Sequence, residues 1–295
     1  MHSSGITIEL ATDAYQAKIV SVGAGLAELT RYGRHLVVPH KPEEMPPAHQ
    51  GKVLVPWPNR IANGSYRYKD VEYLLPINDR AANAAIHGLL AWRDWQISHR
   101  SASAVTLTTF LPPSYGYPFT LFCAITYRLD AASGLQITLS TQNIGNQPAP
   151  YGAGIHPYLT CNLEALDSCT LQLPAKQLFS MDEQLNPLHL ITSHEAGLDY
   201  LSPRLLGATQ IDHTFKTISS ETPWKVVLTS PQQQMSVFLC SAQPWLQVYT
   251  GEKLARTGLA AEPMSCPPDA FNSTQDLISL APQETHRLWL TIGSE

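Results

Sequence analysis

The strongest constraint in this sequence is an alternation of apolar and polar side chains with a period of two. Over 135–141, Leu135, Ile137 and Leu139 alternate with Gln136, Thr138 and Ser140. Over 119–127, Phe119, Leu121, Cys123, Ile125 and Tyr127 share one parity. Successive side chains of an extended chain point to opposite faces, so such runs describe strands buried on one face. Gly134 precedes the first run and Asn143-Ile144-Gly145-Asn146 closes it with turn residues. Tyr66 to Leu75 reads as a hairpin turning near Lys69-Asp70, and further strands are expected at 6–10, 14–22, 104–111, 168–173, 224–230, 235–240, 245–250 and 286–292. Capped helical periodicity is scarce, with a short turn at most over Ser193–Leu201. The 23 prolines interrupt helices more than they interrupt connections between strands.

About a dozen short strands with Pro- and Gly-rich connections predict two antiparallel sheets packed face to face. No polar linker, charge run or fixed-period repeat divides the chain. The expectation is therefore all-β, one large antiparallel β-sandwich domain over residues 1–295. Two smaller sandwiches would want a linker. Hydrophobic residues make up 44% of the chain and charged residues 15%, which excludes intrinsic disorder. A net charge of -5 argues against a nucleic-acid partner. No basic-then-apolar leader opens the sequence and no long apolar run suggests a membrane span, so a cytoplasmic protein without membrane association is expected. The five cysteines form no C-x-x-C pair and read as reduced thiols in or near a core.

Polar chemistry collects in five segments marked by Gly or Pro. Pro56-Trp57-Pro58-Asn59-Arg60-Ile61-Ala62-Asn63-Gly64 offers fixed guanidinium donors, or simply a surface Arg. Ile86-His87-Gly88 holds a His framed by apolar residues, equally readable as a buried structural one. Tyr151-Gly152-Ala153-Gly154-Ile155-His156-Pro157-Tyr158 permits close backbone approach, and Pro157 disfavours helix at His156. Asp212-His213-Thr214-Phe215 sets a carboxylate beside a His. Glu262-Pro263, followed by Pro268-Asp269-Ala270-Phe271-Asn272, holds a lone acid in an apolar setting, where a carboxyl tends to a raised pKa. Neither H-x-H nor H-E-x-x-H occurs, so no metal is expected. The G-x-S-x-G elbow, the P-loop and the G-x-G-x-x-G fingerprint are also missing.

In this order the five segments resemble the aldose 1-epimerases, or galactose mutarotases. Asn59-Arg60-Ile61-Ala62-Asn63-Gly64-Ser65-Tyr66 is similar to the family's N-R-I-x-x-G-x-[YF], and Ile86-His87-Gly88 to its L/I-H-G segment. His156-Pro157-Tyr158-Leu159 resembles H-x-Y-F, Asp212-His213-Thr214-Phe215 resembles D-H-x-F, and Glu262 is followed by a P-D-A-x-N match. Leu159 in place of an aromatic, Pro157, and Met264-Ser265-Cys266-Pro267 depart from the pattern. The resemblance implies the family's β-supersandwich and an isomerase that interconverts the α and β anomers of a hexose without cofactor or metal. It implies Glu262 as catalytic base and His156 as catalytic acid, with Arg60, His87 and Asp212 binding the sugar and Asn59 and Tyr158 beside them. Nearby carboxylates favour a charged His156 and desolvation opposes it.

Three alternatives stay open. One is a noncatalytic carbohydrate-binding sandwich, and one a glycosidase or lyase using Asp212 and Glu262. The third is a hexose-6-phosphate mutarotase, for which Arg31, Arg34 and Arg93 are the basic candidates. Trp57, Trp92, Trp95 and Tyr158 can stack on a sugar or pack in the core. The expected partner is a small sugar, bound by a monomer or a homodimer.

Overall fold

The computed structural model describes residues 2–219 and 222–295. The period-two runs become the centre of a nine-stranded antiparallel sheet. Its order is Gln96–Arg100, Ala104–Leu111, Leu121–Asp130, Gly134–Asn143, Thr285–Ser294, Met235–Ser241, Trp224–Ser230, Thr170–Gln172 and Arg204–Leu205. Leu139 pairs with Ile125 on one side and Leu288 on the other, so one parity of each strand builds a continuous apolar face. The hairpin of Ser65–Tyr68 and Val71–Leu74 turns at Lys69-Asp70, both in the left-handed region.

An eight-stranded sheet shares the same core. Its main path runs Pro187–Thr192, Ala175–Met181, Asp212–Thr217, Trp245–Tyr249, Leu259–Met264, Gly154–Ile155 and Val53–Leu54, with Tyr158–Leu159 also paired to Leu259–Met264. A four-stranded sheet over residues 7–35 adds to the layers, and one apolar cluster extends from Ile8 to Ile292. The fully buried side chains of such a cluster each stabilise the fold by about 1.5–3 kcal/mol. Among the described residues the only α-helical segment is the single turn Ala270–Ser273, and 193–201 makes turns without helix.

The strands that alternation failed to announce include Gly25–Arg31, Ala175–Met181, Asp212–Thr217 and Leu259–Met264. The last has a physical reason. All six of its residues are buried, so no solvent-facing parity exists to show a period. Ala260 and Ala261 are weak strand formers, and Pro263 argues against a central strand because it lacks a ladder donor.

Gly88 fixes the connection after Ala84–Ile86. Its φ is +71°, and a Cβ there would lie 2.2 Å from the Val55 carbonyl oxygen. Gly88→Ala is therefore expected to destabilise the protein by about 2–3 kcal/mol, read as a lower urea midpoint at unchanged slope.

Candidate active site

Strand register assembles one wall of the site. Glu262 lies opposite Gln247 on the neighbouring strand, and Gln247 lies opposite Thr214 on the next. Asp212 is two residues before Thr214 and so shares its face. The Thr214 hydroxyl donates to Gln247 Oε1, which leaves the amide Nε2 to donate to Asp212 Oδ1 at 2.7 Å. A buried Thr thereby orients an amide, and the amide orients a carboxylate.

Connections between strands supply the rest. His156 sits between Gly154–Ile155 and Tyr158–Leu159, where its N–H donates to the Lys52 carbonyl and its own carbonyl accepts from Gly51. Its ring stacks on Tyr158 with centroids 5.1 Å apart. Arg60 opens the short strand Arg60–Ala62 in register with Ile86, one residue before His87. Asn59 has a φ of +52°; its carbonyl accepts from the His87 N–H and its Oδ1 from the Arg60 N–H. Arg60 Nε donates to Asp79 Oδ2 at 2.9 Å, which fixes the guanidinium over the site.

These groups enclose a cavity of about 420 Å³. Asn59, Arg60, His87, His156, Tyr158, Asp212 and Glu262, all named from sequence, line it together. Four placements differ from a reading that put these segments in loops: Arg60, Tyr158 and Asp212 each begin a strand and Glu262 lies within one. Trp57 and Trp95 are core residues, their indole N–H groups donating to the Ala85 and Leu90 carbonyls. Trp92 lies outside the lining, over the Lys52 ammonium and against His49. Arg31 donates to the Ser294 carbonyl, Arg34 to that of Gln233, and neither they nor Arg93 reach the cavity.

Sequence reasoning missed His49, Asp79, Gln247, Tyr249 and Lys253, which also line it. Gln247 carried a signal, being the lone polar residue inside the run Trp245-Leu246-Gln247-Val248-Tyr249. His49 and Lys253 sit on isolated turns of irregular backbone, which no periodicity marks.

Glu262 is 2% exposed and its Oε1 lies 3.2 Å from His156 Nε2. Burial, reinforced by the Asp212 charge, raises the Glu262 carboxyl well above the usual carboxylate range; Arg60 opposes this. Burial, reinforced by His49 and Lys253, lowers His156 to about 3. Burial likewise raises Asp212, against Arg60, His213 and the Gln247 amide. Both shifts favour a protonated Glu262 beside a neutral His156, the uncharged form of the pair, over the ion pair. His87 Nδ1, His156 Nδ1 and Glu262 Oε2 are buried without a hydrogen-bond partner among the described residues. Unsatisfied polar atoms gathered around one cavity are what a hydroxyl-rich ligand would satisfy.

Residues 7–293 match the model of the aldose 1-epimerase family, and the chain belongs to that family. It is similar to YihR of Escherichia coli K12, an uncharacterised protein, at 59% identity over 292 residues, or 99% of this chain and 94% of that one. Among solved structures it resembles the GalM/aldose epimerase homologue from C. elegans, with a TM-score of 0.87 at 18% identity and 98% of each chain covered. Galactose 1-epimerase from Lactobacillus acidophilus NCFM gives a TM-score of 0.84 at 19% identity, covering 98% of this chain and 94% of that one. The fold is thus galactose mutarotase-like.

The buried pair predicts a pH signature in stability. Glu262 titrates near 4.5 when unfolded and higher when folded, so its term weakens the fold as pH rises from 4.5 towards the folded value. His156 acts oppositely, its term being lost as pH falls from 6.5 towards about 3. Where the two windows overlap, the terms offset each other. Within its window the Glu262 term has a slope of about 1.4 kcal/mol per pH unit. Glu262→Gln lacks it, so the variant should gain stability over wild type as pH rises from 5 to 8 in urea titrations.

Proposed function

We propose that this protein is an aldose 1-epimerase that interconverts the α and β anomers of a hexose by acid/base ring opening and reclosure. The observation that carries the reading is the buried contact of 3.2 Å between His156 Nε2 and Glu262 Oε1. In a hemiacetal the hydroxyl oxygen O1 and the ring oxygen O5 are bonded to the same carbon. A catalyst that takes a proton from one and gives a proton to the other needs its base and acid side by side.

The reaction starts from the charge-separated form of the pair, reached by moving the shared proton from Glu262 to His156. Glu262 then removes the O1 proton, the C1–O5 bond breaks, and its electron pair takes the proton carried by His156 Nε2. The product is the open-chain aldehyde, with C1=O1 formed and O5 a free hydroxyl. Rotation about C1–C2 presents the other face of the carbonyl, and the same transfers in reverse close the ring. The pair returns to its starting protonation, and no net proton is exchanged with solvent. Arg60, held by Asp79, lowers the cost of the Glu262 carboxylate, since its charge opposes the upward shift of that acid. His87, Asp212 and Gln247 are placed to hold hydroxyls, and Tyr158 backs the His156 ring.

A noncatalytic sugar-binding module would have no use for a proton donor and acceptor kept together at the expense of stability. Polarimetry of freshly dissolved α-D-glucose and α-D-galactose tests the activity. Wild type should accelerate mutarotation, and Glu262→Gln and His156→Asn should each lose on the order of 10²–10⁴ in kcat. Wild type no faster than buffer across a sugar panel would sink the reading, and full activity in Glu262→Gln would sink the base.

One observation favours a narrower second reading, a hexose 6-phosphate as substrate. Arg80 and Lys253 stand exposed at the cavity mouth and form no ion pair among the described residues. Under this reading glucose 6-phosphate has a lower KM than glucose. Lys253→Ala then removes that advantage by about tenfold while leaving the KM for glucose unchanged, as loss of a partly exposed charge pair implies.

A further inference from the structure

His87, His156 and Glu262 come from three distant segments, and their ligating atoms all lie within 4.8 Å of one another. Short motifs such as H-x-H test only for ligands carried by one stretch of chain, so this grouping was invisible in the sequence. We infer that these three side chains form a reversible binding site for a borderline divalent cation, Zn²⁺ being the type case, and that its occupancy excludes the sugar.

The donor set is two imidazoles and one carboxylate, the combination that binds zinc with an open coordination position. Ligand bonds of about 2.0–2.2 Å in a tetrahedron separate donor atoms by about 3.4 Å. His156 Nε2 and Glu262 Oε1 already stand 3.2 Å apart. His87 brings a ring nitrogen within 4.8 Å of both, and its Nδ1 is buried with no partner among the described residues. Glu262 keeps a second buried oxygen, Oε2, also unpartnered. All three side chains are at least nine-tenths buried, so the site is shaped and largely dry. The open position faces the cavity, where water or a sugar hydroxyl can enter.

The same surroundings set the strength. Zinc-binding histidines normally donate their other ring N–H to a carboxylate or carbonyl, and loss of such support weakens binding 10–100-fold. His156 Nδ1, the nitrogen left over when Nε2 ligates, has no such acceptor among the described residues. Arg60 and Lys253 also face this group and oppose a cation. The site is therefore suited to an exchangeable ion and not to a resident one, with a dissociation constant on the order of 1–10 μM. A bound ion occupies the Glu262 oxygen and the His156 nitrogen that carry the protons, so it competes with the reaction; this last step rests on the epimerase reading.

The test is titration of the purified chain with Zn²⁺ by calorimetry and with Co²⁺ by visible absorption. Wild type should bind one ion per chain and give the intense d–d bands of a low-coordinate site. His87→Gln and Glu262→Gln should each bind at least tenfold more weakly, with thermal melting confirming that both fold. The exposed His189→Ala should bind as wild type does. Galactose at saturating concentration should weaken Zn²⁺ binding, and chelator should restore mutarotation to a zinc-treated sample. No saturable binding by 100 μM Zn²⁺, or equal binding by His87→Gln and wild type, overturns the site. Zinc occupancy that leaves galactose binding untouched overturns the competition. A protein that binds zinc as described yet leaves mutarotation at the buffer rate overturns the epimerase reading alone.

Discussion

The structure depends on one contact, a carboxyl and an imidazole pressed together inside a β-sheet with almost no water. Taking a carboxylate out of water is expensive, and a neutral pair sharing one proton is the least costly way to keep Glu262 and His156 there. Every other feature of the site either tolerates that burial or moderates it. The strand beneath Glu262 is buried along its whole length, which excludes water. Arg60 supplies a positive field from one side, and is itself tied to Asp79 so that it does not collapse onto the buried acid. Asp212, also buried, is restrained by an amide whose orientation a threonine fixes. Under the proposed chemistry this arrangement keeps the pair one proton transfer from its reactive form.

Two kinds of backbone share the work. Glu262, Gln247 and Asp212 project from paired strands, where hydrogen-bond ladders fix position. Arg60 opens a strand of only three residues and His87 and His156 come from short connections, but each is tied by backbone hydrogen bonds: Asp269 to Arg60, Asn59 to His87, Lys52 and Gly51 to His156. Lys52 illustrates how closely the second kind is held. It is fully buried, and its ammonium donates to the Val22 carbonyl over the face of Trp92.

Much of this was legible in the sequence. Strand signals located seven of the nine strands of the large sheet, missing its edge strands Gln96–Arg100 and Arg204–Leu205, and Ala104–Leu111 and Trp224–Ser230 fall where they were expected. Alternation was silent on Leu259–Met264, where both faces are covered, and on Asp212–Thr217, where Phe215 is the only apolar residue and no alternation can show. Lining residues named from ordered motifs converged on one cavity, since the motifs report chemistry and not periodicity. Arg31, Arg34 and Arg93 did not, because surplus positive charge in a sequence carries no direction. Arg80 and Lys253, on irregular backbone at the cavity mouth, took that position instead. The grouping of His87 with His156 and Glu262 lay beyond sequence for a different reason, being a property of tertiary closure.

The row Thr214, Gln247, Glu262 has a consequence for how this protein can change over time. Side chains in a strand alternate faces, so one residue inserted within Trp245–Tyr249 or Leu259–Met264 would turn part of that row away from the cavity. The tip at 182–186, which brings Glu183 and Leu185 to the mouth, obeys no such rule. Its length can drift by several residues at little cost. Under the proposed chemistry, relatives that diverge in length at the mouth while keeping the strand spacing intact are therefore free to acquire new sugars without reinventing the proton transfer.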